Sequence, residues 1–161
     1  NPLAHTLTDE VFQSVRVNGS SVAELHLYAG AAAMEGVPAV FVSGDEALCR
    51  EAKLFAERIE TVATSYGHGS STISIHPELA CEQIRAGMKR ACAFSPQERR
   101  ELLRTPKGPF LVEITYNRAV DAYKNSFYPG ASLQSDLVVG FTTPSFLEVL
   151  RMLVFVSSAA T

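Results

Sequence analysis

The side chains able to do chemistry in this chain are few and scattered. There are four histidines, His5, His26, His68 and His76, and three cysteines, Cys49, Cys81 and Cys92. Glu24 stands apart from the other carboxylates. It lies in "VNGSSVAELHLYAG", where Asn18-Gly19 is a tight-turn dipeptide and Ser20-Ser21 are natural helix N-caps. The residues after it (Leu25, Leu27, Tyr28, Ala29, Ala31, Ala32, Ala33, Met34) are apolar on every side of a helix. Such a helix is expected to be buried. A carboxylate there is costly unless it is paired, hydrogen-bonded or bound to a metal. The competing reading is a carboxylate at the surface or paired with Arg16. His26, two residues on, faces away from Glu24 on a regular helix and cannot share a metal with it.

The other candidates have plainer explanations. His5 precedes a strand in the pair His5-Thr6; a lone histidine is more often structural. His76 directly precedes Pro77 and reads as part of a helix N-cap region. Asp45 in "SGDEAL" falls between a strand end and a helix start, where N-capping is the leading role. "GHGSST" resembles neither a phosphate loop, since no lysine follows, nor a nucleophile elbow. A Gly/Ser turn is favoured over a nucleophilic Ser70 or Ser71. HExxH, CxxC, GxSxG and GxGxxG are all missing from the sequence.

These residues hang on an alternation of strands and helices. "EVFQSVRV" reads as a strand, 21–34 as the apolar helix and "GVPAVFVSG" as a short buried strand. "DEALCREAKLFAER" reads as an amphipathic helix, "IETVATSYG" as a strand and "HPELACEQIRAGMKRACA" as a helix. "SPQERRELLR" is a short capped helix, followed by the strand "FLVEITY", the helix "NRAVDAYKNSF", the loop "YPGASLQ", the strand "SDLVVGFTT" and a closing helix over 144–160. The expectation is an α/β fold, a layered sheet with flanking helices that is part of a larger domain, followed by a small α+β subdomain. The boundary falls between 1–94 and 95–161.

Composition narrows the function classes. The 161 residues are 47% hydrophobic and 19% charged, with a net charge of −3. That balance gives no basic footprint, so a nucleic-acid partner is not expected. No apolar run reaches the span of a bilayer, since Glu148 and Arg151 interrupt the terminal one. Cys81 and Cys92 lie three helical turns apart and cannot bridge. The cysteines read as buried thiols in a reducing compartment, and the expected location is cytoplasmic.

Three segments taken together carry a resemblance: residues 5–48, "SSTISIHPELACEQIRAGMKRA", and "FLVEITY" with "SDLVVGFTTPSFLEVLRML". The order HT, NG, AE, AG, GVP and GD within 5–45 resembles the DppA-like D-aminopeptidases, a family of zinc metallopeptidases. The resemblance implies a zinc-dependent aminopeptidase or amidase releasing N-terminal D-amino acids from short peptides or amino-acid amides. It matches Glu24 to a metal ligand and His5 to a catalytic histidine, and it implies a pair of zinc ions per complete site and a homo-oligomer. The family's acidic pair and its two metal-binding histidines lie upstream of the HT motif. They are therefore expected from an N-terminal segment of the same precursor. Ala23 stands where the family usually has serine. The competing expectations are a non-catalytic oligomeric scaffold or binding module that has lost the metal site, and a hydrolase using Ser70, Ser71 or a cysteine.

Overall fold

A computed structural model describes residue 7 and residues 10–158. Its contacts group into two compact units, residues 7–31 with 106–158, and residues 32–105. This partition differs from the sequential boundary expected at 94/95. The reason is a strand pairing across the chain: β1 (Phe12–Val17) lies antiparallel to β6 (Phe110–Tyr116), with Val15 opposite Ile114.

The unit containing both ends of the described chain is built on a five-stranded sheet in the order β2-β1-β6-β8-β7. β2 is Ser20–Ser21, β7 is Ala131–Ser135 and β8 is Val138–Thr143. β1 and β2 form a hairpin across Asn18-Gly19, whose φ values are +51° and +78°. Two successive positive φ values are what a two-residue hairpin turn of this hand requires. The Asn18 side chain then locks the turn to β6: its Oδ1 accepts from the Leu111 amide at 2.8 Å. Helices α5 (Ala119–Asn125) and α6 (Phe146–Ser158) complete the unit. Strand β6 alternates Phe110, Val112, Ile114 and Tyr116 inward, and these join Val149, Met152 and Val156 of α6 in one core. Phe12 meets Tyr116 edge-to-face, with centroids 5.4 Å apart. Burial, and then the charge of Asp121, push the Tyr116 phenol well above its ordinary pKa.

The other unit is a βαβ arrangement with a hairpin added. β3 (Phe41–Asp45) runs parallel to β4 (Glu60–His68) through α2 (Glu46–Phe55), and β5 (Ser71–Ser74) pairs antiparallel with β4. α3 (Pro77–Cys92) packs on this sheet at Gly87, where a Cβ would stand 2.8 Å from Phe41 and 2.9 Å from Val62. α4 (Pro96–Leu102) opens with a complete capping box between Ser95 and Glu98. Arg58 reaches both Glu98 and Glu101, at 2.8 and 2.9 Å. The core here is small, centred on Ala52, Ala56, Ile59, Val62, Ala91 and Leu102.

Several expectations are corrected. "GHGSST" and "YPGASLQ" contribute the edge strands β5 and β7 rather than loops alone. The buried strand over 36–44 begins only at Phe41 and is half-buried, because among the described residues β3 pairs on one side only. Cys49 is buried, but Cys81 and Cys92 are exposed. Among the described residues no helix is long and apolar enough to cross a membrane.

The α4 cap carries a pH signature. The Ser95 backbone and hydroxyl, then Arg58, hold Glu98 below the ordinary carboxylate range. A carboxylate with a depressed folded pKa contributes stability in full above its unfolded value of about 4.3. That contribution is lost as pH falls through the lower folded value. Glu98→Gln is therefore expected to lose stability less steeply than the parent on acidification, read from urea midpoints across about pH 3–6. Parallel curves would remove Glu98 from the account.

Candidate functional site

The β1–β2 hairpin determines where the next helix starts. After Ser21 the chain turns into α1 (Glu24–Met34), with Glu24 in its first turn. Ser20 and Ser21 are strand residues here, not the expected caps. Instead His26 Nδ1 accepts from the Ala23 amide at 3.1 Å, which gives His26 a local structural role. A carboxylate in the first turn also suits the positive end of the helix dipole.

The expected burial of α1 on all sides is corrected. Leu27, Ala29, Gly30 and Ala33 are buried, while Tyr28 is 68% exposed and Met34 52% exposed. Gly30 makes the buried contact: a Cβ there would lie 2.8 Å from the Phe146 ring and 2.9 Å from Pro106. Glu24 itself is half-buried. It stands on the wall of a cavity of about 550 Å³.

Two helices supply most of that wall. α1 contributes Glu24, Leu27, Tyr28 and Ala31, and α6 contributes Leu150, Leu153, Val154 and Ser157. Each set has the spacing i, i+3, i+4, i+7, so each is one face of a helix. Leu7 and Phe12 close the remainder. Glu24 and Ser157 bring polar groups to walls that are otherwise largely apolar. The same spacing is legible in the sequence of both helices, and it was the available signal for Tyr28, Leu153 and Val154. It does not reveal that the two faces meet.

The other candidates lie elsewhere. His5 lies outside the described residues. Asp45 is a helix cap, its Oδ1 accepting from the Leu48 amide at 2.9 Å. Its charge adds to burial in raising the Cys49 thiol pKa, so Cys49 is poorly suited to act as a nucleophile. His76 caps α3 by accepting from the Glu78 amide at 3.3 Å. His68 ends β4, and the Ser71 hydroxyl donates to its carbonyl at 3.1 Å, which makes Ser71 a turn residue.

A zinc site needs three or four ligands converging within about 2.3 Å of the ion. Among the described residues no three His, Cys, Asp or Glu side chains come together in that way. The described residues therefore do not fit a zinc ion by themselves; they offer Glu24 alone.

Comparison with known proteins supplies the context. The family profile described as D-aminopeptidase matches residues 1–155. Among solved structures, the fold matches the Zn-dependent D-aminopeptidase DppA from Bacillus subtilis, described as a self-compartmentalizing protease, with a TM-score of 0.82 and 19% identity. The match covers 92% of this chain and 54% of that one, so this chain spans about half the length of the relative. No curated protein matches the sequence.

Gly30 brings α1 close to Phe146 of α6 and to Pro106. Gly30→Val is expected to destabilise the fold by about 1–3 kcal/mol through overpacking against Phe146 and Pro106, seen as a lowered urea midpoint. An unchanged midpoint would mean that α1 does not rest on that ring.

Proposed function

The chain belongs to the D-aminopeptidase family, and from that membership we propose that it works as a metallo-aminopeptidase or amidase. It would release N-terminal D-amino acids from short peptides or amino-acid amides. The observation that carries this reading is Glu24, a carboxylate brought by the first turn of a helix to the wall of a largely apolar cavity. A rigid helix start holds a ligand or a charge more accurately than a loop does.

In this reading Glu24 is one ligand of zinc, the metal named for the structural relative. The remaining ligands come from an N-terminal segment of the same precursor, since the described residues do not complete a set. Hydrolysis adds water across the scissile amide: a C–O bond forms, the C–N bond breaks and the leaving amine takes up a proton. His5 is the group assigned to that proton transfer or to the oxyanion. Homo-oligomeric assembly and a cytoplasmic location belong to the same proposal. The self-compartmentalizing character of the relative supports the first, and three unbridged cysteines support the second.

The test is Glu24→Ala in the purified protein with every polypeptide it retains. Removing a residue that only orients a metal ligand already costs about 10–100-fold, so loss of a ligand is expected to lower kcat/KM by at least ~10²-fold. Metal content should fall while the assembly keeps its size. Full activity with full metal content would remove Glu24 as a ligand. A folded assembly with neither metal nor peptidase activity in the parent protein would favour the scaffold reading instead.

A further inference from the structure

Three buried polar atoms between β6 and α5 take no part in the proposed chemistry. Tyr116 Oη lies at the end of β6, and Asn125 Oδ1 and Nδ2 lie at the end of α5. Tyr116 is fully buried and Asn125 is 1% exposed. Among the described residues none of the three atoms has a hydrogen-bond partner. A native core rarely leaves such groups unpaired, because each then costs its full desolvation penalty. The two side chains are neighbours. Burial, and then the charge of Asp121, raise the Tyr116 pKa, and the Asn125 side chain opposes them, so the amide stands beside the phenol. Polar groups that stand close without bonding directly are placed for a bridge. Their other surroundings are apolar or engaged. The Phe12 ring meets Tyr116 edge-to-face, and Ala122, fully buried, precedes Asn125 by three residues on one α5 face. The Asp121 carboxylate is paired with Arg118 at 3.5 Å.

We propose that the Tyr116 hydroxyl and the Asn125 carboxamide together form a site for one ordered internal water, which joins α5 to β6. The atom types select that ligand. Asn125 presents a donor and an acceptor side by side, and Tyr116 presents a hydroxyl that can do either. A cation would leave Nδ2 without an acceptor, and an anion would leave Oδ1 without a donor. A water accepts from Nδ2, donates to Oδ1 and keeps a second hydrogen for Tyr116 Oη. That makes about three bonds, the usual number for a buried water. The bridge holds α5 where packing alone has little to offer, since the neighbouring contact residue on that face is an alanine, Ala122. The site does not depend on the peptidase reading.

The experiment is water-detected NMR on the purified protein and on Tyr116→Phe, a variant that deletes one oxygen and creates no clash. The Asn125 carboxamide protons are expected to show cross-peaks at the water frequency, of opposite sign in NOE and ROE spectra. That sign pattern marks a water that tumbles with the protein rather than protons exchanging with solvent. In Tyr116→Phe the cross-peaks should persist, because the water keeps its two bonds to Asn125. The urea midpoint of Tyr116→Phe should fall, because a satisfied hydroxyl has been removed. Parent spectra without the cross-peaks would overturn the proposal. Cross-peaks that vanish in Tyr116→Phe would also overturn it, since they would then come from the phenol proton, bonded directly to Asn125. A midpoint that rises in Tyr116→Phe would show a hydroxyl that was never paired, with the same consequence.

Discussion

The antiparallel pairing of β1 with β6 is the constraint on which the site depends. It joins segments about a hundred residues apart in sequence, and it is fixed at one end by Asn18, whose amide and side chain both bond to Leu111. A one-residue slip would turn Val15 and Ile114 from core to surface. Because Asn18 is also the hairpin turn residue, the bonds that set the register also set where the chain leaves β2. The start of α1, and with it Glu24, is fixed by that exit.

The core of this unit explains why the cavity forms where it does. β6 and β8 present alternating apolar residues to α6, whose Val149, Met152 and Val156 are fully buried. The neighbouring face of the same helix, with Leu150, Leu153 and Val154, is left to line the cavity beside α1. An α1 that is apolar all round cannot satisfy itself against one neighbour. Gly30 allows close approach to Phe146, and the opposite side, carrying Tyr28, remains exposed at the opening. The apolar excess of the helix thus goes partly into packing and partly into the cavity wall.

The second unit follows different arithmetic. Its interior is made largely of alanines with Ile59, Val62 and Leu102, so close backbone approach replaces side-chain bulk. Gly87 against Phe41 and Val62 is the clearest instance. Local devices contribute the rest: the Asp45 cap, the His76 cap and the Ser95–Glu98 box each satisfy helix amides that would otherwise be left without partners. Asp45 and His76 are thereby given structural roles, and Ser71 has its own, donating its hydroxyl to the His68 carbonyl.

Much of this was legible from the chain alone. Periodicity marked α2, α3, α6 and β6, turn chemistry marked Asn18-Gly19, and capping patterns marked Asp45 and Ser95, because each of these signals is local. The order of motifs around Glu24 pointed to the family that the whole-chain profile then matched. The edge strands β5 and β7 escaped detection because exposed, serine-rich strands have no apolar alternation to show. Cys81 and Cys92, expected to be buried, are exposed, because burial depends on which face of α3 meets the sheet. The cavity belonged wholly to the tertiary structure. Each of its two helix faces repeats at helical spacing in the sequence, but only the pairing of β1 with β6 brings residues near 24 and near 153 together, and no local signal encodes a contact over that separation.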